Sequence, residues 1–204
     1  MPDHAARETA LFRPHARQVL ADDWAVLTKH SFDLRRRDGS WQRLTRETYD
    51  RGNAACALLH DPARDCVLLV RQFRLPAFVQ GEAGPLIEVP AGRLEGAAAA
   101  DRMRAELEEE AGVTVTAMTH LFDLYSSPGT VTELQSYFIG TYAPGDLTGP
   151  GGGLQDEGED IERLELPLDE ALGMIETGAI RDAKTVLLLQ HLALRLARSA
   201  AGTP

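Results

Sequence analysis

The sequence predicts an α/β sandwich on a mixed sheet, preceded by an N-terminal antiparallel β region. Three observations carry this. Strand-like patterning dominates up to Arg51. The body then runs strands, one helix, strands and two helices. No segment repeats the strand–helix–strand unit of a doubly wound sheet, and there is no internal repeat or heptad run. At 204 residues, 44% hydrophobic and 25% charged, the chain suits one main domain with a smaller N-terminal piece. The expected division is 1–52, a β region, and 53–204, the main domain.

Charge and cysteine use narrow the function classes. A formal net charge of −10 argues against nucleic acid as a partner, since phosphate-backbone binding needs a basic footprint. It leaves room for an anionic small ligand held through metal ions. No apolar run reaches membrane-spanning length, so no membrane partner is expected, and MPDHAARETALFRPHAR lacks the apolar core of a signal peptide. Cys56 and Cys66 sit in apolar runs without metal-ligand spacing and read as core thiols of a reducing compartment. The default is a cytoplasmic enzyme.

Taken in order, residues 1–15 read as a loose lead-in. From Gln18 to Arg51, Trp24, Val26, Phe32 and Leu34 fall at largely even spacing; Asp38-Gly39 is a hairpin turn, with Trp41, Leu44 and Tyr49 on the return. Residues 54–60 and 66–73 form two strands around the Asp61-Pro62 turn. The second runs into Arg71 and Arg74, suited either to structural ion pairs or to phosphate contact. Residues 79–85 read as a loop and 86–89 as a short strand, with Pro90-Ala91-Gly92 turning the chain out of it. A helix at 97–111 ends at Gly112, and strands follow at 113–124 and 134–142, joined by a turn holding Glu133. Segment 143–160 is too long for an ordinary connection. Its glycines read as flexibility that brings Asp156, Glu157, Glu159 or Asp160 to a site, and no Gly-Lys-Ser/Thr follows to make a P-loop. A strand ends at Pro167, Asp169 caps a helix at 170–177, and an amphipathic helix covers 182–198. Lys184 sits in its first turn, where the helix dipole disfavours a cation.

The helix at 97–111 carries the chemistry. Glu106, Glu109 and Glu110 share a face and Glu108 points away. Like charges at that spacing repel. The cluster is either a solvated acidic face or a seat for a hard divalent cation, which takes oxygen ligands. The six histidines show no ligand pair, and His4 and His15 fall in the lead-in.

Gly92–Val113, GRLEGAAAADRMRAELEEEAGV, resembles the Nudix box, GX5EX7REUXEEXGU with U a bulky aliphatic. Glu106, Leu107, Glu109, Glu110, Gly112 and Val113 match its second half. Its front departs. The pattern places glycine at Ala91, one residue before Gly92; the first box glutamate is alanine (Ala97 or Ala98), and the box arginine is Ala105. The flanks TYDRGNAACALL (48–59), RQFRLP (71–76), LYSSPGTVTEL (124–134), the stretch 151–178 and IRDAKTVLLL (180–189) resemble the GDP-mannose pyrophosphatase branch of the ADP-ribose pyrophosphatase-like Nudix enzymes.

The resemblance implies a Nudix α/β/α sandwich in a homodimer whose N-terminal strands help build the partner's nucleotide site. It implies Mg²⁺, or Mn²⁺ in its place, on the Ala91 carbonyl, Glu106 and Glu110. Glu109 is a neighbour, and Glu159 is a further metal ligand or the catalytic base, with Glu157 its rival. It assigns Trp24, Arg46, Glu47, Arg74, Gly92, Glu133 and Lys184 to a nucleotide sugar. The implied reaction is hydrolysis of GDP-mannose to GMP and mannose 1-phosphate. The alternatives are an ADP-ribose pyrophosphatase and a non-catalytic nucleotide-sugar sensor.

Overall fold

A computed structural model of the chain describes residues 8–202, the side chain of Glu157 apart. His4 therefore lies outside the described residues. The chain divides into two compact units, one running to Asn53 and including Tyr125–Leu134, the other comprising Ala54–Leu124 and the chain from Gln135 onward.

The first unit is an antiparallel sheet of β1 (Phe12–Asp22), β2 (Val26–Arg35) and β3 (Trp41–Asp50), in that order. β2 and β3 meet around Asp38-Gly39 as expected, with Arg35 opposite Trp41 and Gly39 at φ 85°. The lead-in reading of 1–15 is corrected: β1 begins at Phe12, which pairs with Leu34 and stacks on Phe32 at 5.0 Å between ring centroids. The segment hides because β1 is an edge strand, almost wholly exposed, with no apolar alternation to betray it. Pro14 is tolerated there because the register shifts between Pro14 and Ala16, where the ladder can do without a donor. Tyr125–Leu134 joins this unit through backbone bonds between Tyr49 and both Thr130 and Thr132.

The second unit holds a mixed sheet. Its strands are β4 (Ala54–Asp61), β5 (Cys66–Gln72), β6 (Leu86–Glu88), β7 (Ala91–Arg93), β8 (Met118–Tyr125), β9 (Leu134–Thr141) and β10 (Glu162–Pro167). The order is β10-β5-β4-β9-β8, with β6 on β5 and β7 on β4. β4 runs parallel to β9 and antiparallel to β5. β4 is buried along its whole length, which is why it reads as an unbroken apolar run. Ala55, Ala57 and Leu59 face one core with Leu68, Val70, Met103 and Leu107; Cys56 and Leu58 face the other with Val67, Leu69, Leu188 and Leu189. Helix α2 (Ala99–Ala111) thus covers one face, and α3 (Leu168–Glu176) with α4 (Ala183–Ala200) covers the other. Both cysteines are thiols, Cys56 buried and Cys66 half-buried.

Three local expectations are corrected. Leu75–Gln80 forms a short helix, α1, with Pro76 in its first turn and Gly81 closing it at φ 113°; its apolar side chains are not buried, so no periodicity marked it. Pro90 makes the turn, but Ala91–Arg93 is strand β7, paired with Cys56–Ala54. Asp169 lies inside the first turn of α3 and does not cap it; Pro167, with φ held at −53°, ends β10 and starts the helix. Among the described residues no helix is long and apolar enough to cross a membrane.

Candidate active site

Helix α2 presents its glutamates as the sequence predicts. Glu110 is 1% exposed, Glu106 is buried, Glu109 is half-buried and Glu108 is exposed. Met103 and Leu107 on the same helix are fully buried. Their burial, about 2 kcal/mol each, sets which face of the helix turns inward, and the carboxylates of that face are carried in with them. Burial first, and then the charge of Glu106, push Glu110 up to about 8.

A cation has reason to sit here. Two buried carboxylates of one sign, one of them driven towards its proton, form an all-oxygen donor set that a hard divalent ion fits. Among the described residues, no three His, Cys, Asp or Glu side chains already converge as a metal cage. Arg102 instead holds Glu106 at 2.6 Å, reaches Glu109 at 3.5 Å and donates to the Arg93 carbonyl at 3.2 Å. The sequence reading missed Arg102, although its i,i+4 spacing to Glu106 was a usable signal.

Strand β7 supplies the facing wall. The Ala91 N–H donates to Glu110 Oε2 at 3.0 Å. A Cβ on Gly92 would lie 1.6 Å from Glu106 Oε1. Glycine is thus required at Gly92 so that the Glu106 carboxylate can lie against the backbone.

The glycine-rich loop has an anchored first half. Its glycines dock it on the C-terminus of α2. Gly152 and Gly153 N–H groups donate to the Glu110 and Glu109 carbonyls, both at 3.0 Å. Thr148 and Gly149 N–H groups donate to the Gly112 carbonyl, and Arg163 ties the Ala111 and Gly149 carbonyls together. These bonds satisfy acceptors that a helix end leaves open. A Cβ on Gly151 would lie 2.4 Å from the Glu110 carbonyl oxygen, so the contact excludes side chains. Docking brings Glu159 in: its carboxylate accepts from the Leu154 N–H at 2.9 Å, and its charge acts on Glu110. The side chain of its rival Glu157 lies outside the described residues.

Beside the carboxylates is an ion-pair hub that the sequence did not reveal. Glu88, at the end of β6 and 2% exposed, accepts from Arg74 Nε at 2.9 Å and Arg74 Nη2 at 3.0 Å, and from Lys184 Nζ at 2.6 Å. Lys184 also donates to Asp182 Oδ1 at 2.8 Å. This explains a cation in the first turn of α4. Burial would raise the Glu88 pKa, but Lys184 and Arg74 overcome it and hold the carboxyl below its usual range. Burial likewise opposes the charge of Lys184 and of Arg74, and the facing carboxylates outweigh it in both. Asp182 caps α4 through the Thr185 N–H at 2.9 Å, and the buried Thr185 hydroxyl accepts from the Val89 N–H at 2.8 Å.

Ala91, Gly92, Glu106, Glu109, Glu110 and Glu159 are thus gathered in the second unit, with Arg74 and Lys184 joined on Glu88 in the same unit. Trp24, Arg46, Glu47 and Glu133 belong to the first. Trp24 is 73% exposed in the β1–β2 turn, and Arg46 and Glu47 are exposed on β3. Glu133 pairs with Arg51 at 3.3 Å. A cavity of about 430 Å³ opens at the other end of β4, lined by His60, Ile139, Leu192 and Arg195 among others; it holds none of these carboxylates.

The NUDIX domain model matches residues 50–189. The chain belongs to the Nudix family. A second model, for the N-terminal domain of the GDP-mannose pyrophosphatase NudK, matches residues 13–49 of this Nudix chain. It is 44% identical over 180 residues to the GDP-mannose pyrophosphatase of Pectobacterium atrosepticum, covering 88% of this chain and 92% of that one. It is 48% identical over 176 residues to the enzyme of the same name from Citrobacter koseri, covering 86% and 91%. A crystal structure of an ADP compounds hydrolase shares the fold, with a TM-score of 0.65 at 18% identity over 97% of this chain and all of that one. The Nudix chain is a pyrophosphohydrolase, and enzymes of its family generally work with divalent metal ions.

Proposed function

We propose that this Nudix enzyme hydrolyses a nucleoside diphosphate sugar at the diphosphate, converting GDP-mannose and water to GMP and mannose 1-phosphate. The observation that carries the reading is the buried Glu106–Glu110 pair set against β7, in a chain whose relatives bear that enzyme's name. Glu106, Glu110 and the Ala91 carbonyl would hold Mg²⁺, or Mn²⁺ in its place, with Glu159 a further ligand. When bound, the cation supplies Lewis-acid neutralisation of the diphosphate charge.

The chain's own residues do the rest. Arg74 and Lys184 bind and orient the anionic substrate. Gly92 lets the substrate and Glu106 approach the backbone together. Glu159 accepts the proton of the attacking water, with Glu110 or Glu157 next and Glu109 a neighbour; a positioned base of this kind is worth roughly 10²–10⁴-fold. Trp24, Arg46, Glu47 and Glu133 contact the nucleotide sugar. Residues 1–52 serve dimerisation and substrate contact, and 53–204 catalysis, in a homodimer whose N-terminal strands serve the partner's site.

The test is one substrate screen with Mg²⁺ and product identification. GMP with mannose 1-phosphate is the expected outcome. AMP from ADP-ribose, with GDP-mannose untouched, would move the specificity. Both substrates left intact would overturn the assignment.

A further inference from the structure

We infer that Glu88 is a positioning residue for substrate: it gathers Arg74 and Lys184 into one dication clamp for the diphosphate. The inference rests on the reading of the site as a nucleoside diphosphate sugar hydrolase. Three observations carry it. First, Glu88 Oε2 is shared. It accepts from Arg74 Nη2 at 3.0 Å and from Lys184 Nζ at 2.6 Å, so two cations from distant segments of the chain are held side by side. Like charges do not meet unaided, and the carboxylate between them is what makes the pair possible.

Second, the hub is asymmetric in exposure. Glu88 is 2% exposed and beyond the reach of a ligand, whereas the Arg74 side chain is 39% exposed and the Lys184 side chain 14%. The anion is inside, and the Arg74 guanidinium is the most exposed of the three groups. Guanidinium N–H groups not spent on Glu88 remain for phosphate oxygens.

Third, the hub is wired to the catalytic carboxylates by three residues of backbone. Val89 N–H is held by Thr185 at 2.8 Å, and Ala91 N–H donates to Glu110 at 3.0 Å. The strap from Glu88 to Ala91 therefore sets the clamp and the carboxylate pair relative to one another.

The experiment measures kcat and KM for GDP-mannose in Glu88→Gln, Lys184→Met and the double variant, with melting temperatures alongside. Glu88→Gln leaves Arg74 without its carboxylate and Lys184 with Asp182 alone, so the double variant, which removes one cation with the anion, restores the local balance and guards against a folding failure. About a tenfold rise in KM with kcat changed less is expected for each single variant, and the double variant is expected to show no more than the larger single effect, because both act through one clamp. An unchanged KM in Glu88→Gln, or effects that multiply in the double variant, would overturn the inference. Glu88→Asp, which keeps the charge, is expected to recover part of the loss; a purely structural carboxylate would lower the melting temperature and leave KM alone. If the wild type turns over no nucleotide sugar, the hydrolase reading fails separately. Calorimetric binding of inorganic pyrophosphate then decides the clamp, weaker in Glu88→Gln if it holds and equal to wild type if it does not.

Discussion

At the residue scale the site is a balance between burial and charge. Glu110→Gln removes a carboxylate that burial and Glu106 already disfavour, so the two readouts should part. kcat is expected to fall by orders of magnitude, while the melting temperature in chelator stays at or above the wild-type value. The sign follows from the raised pKa: in the wild type, Glu110's contribution is present below its unfolded value near 4.5 and is lost as pH rises through about 8. The gain in Glu110→Gln should therefore be largest above pH 8, read by thermal melts across pH. Gly92→Ala is expected to abolish turnover, because its Cβ would occupy the place of the Glu106 carboxylate; wild-type kcat in that variant would show that Glu106 need not lie there. The glutamates of α2 were legible because a helical period sorts buried from exposed. Glu88 was not, since one acid in a three-residue strand has no pattern, and its partners lie 14 and 96 positions away.

At the element scale the fold shows which signals a sequence carries. β4, β5, α2 and α4 were legible because each buries a continuous or periodic apolar set. β1 and α1 were not, because both are largely exposed and neither shows a period. The loop at 143–160 was read for flexibility because glycine permits it. Its other use, close approach of backbone to backbone, shows only once α2 lies against it. Gly151→Ala is expected to lift the loop from the helix end and lower kcat through Glu159 while leaving the α2 core intact; limited proteolysis within 150–160 measures the lifting. Asp182→Ala removes the cap of α4 and a partner of Lys184. A loss of about 1 kcal/mol is expected for the cap, read by denaturant melts.

For the molecule as a whole, acid stability should report the Glu88 hub. The folded-state pKa of Glu88 is lowered, so its contribution is fully present above its unfolded value near 4.5 and is lost as pH falls through the lower folded value. Melting temperature against pH is expected to fall less steeply below 4.5 in Glu88→Gln than in the wild type. The order of strand and helix patterns made an α/β sandwich on a mixed sheet legible, and the resemblance to the Nudix family supplied the α/β/α layers. What that order could not convey is that Tyr125–Leu134, deep in the body of the sequence, packs with the N-terminal strands. Its ties include backbone bonds to Tyr49, which depend on no particular side chains, and the Glu133–Arg51 pair, whose members lie 82 positions apart.

The docked loop has a consequence for how such an enzyme changes over generations. Anchorage resides in the backbone bonds from Thr148, Gly149, Gly152 and Gly153 to the end of α2, with Gly151 seated so that a Cβ would meet the Glu110 carbonyl, whereas the acids sit beyond it at 156–160. Substitution at Gly151 is closed, but insertion or deletion after Gly153 keeps the bonds to α2 and alters the reach of the arm. Length is then the heritable variable by which lineages exchange one acid for another opposite the same pair of glutamates.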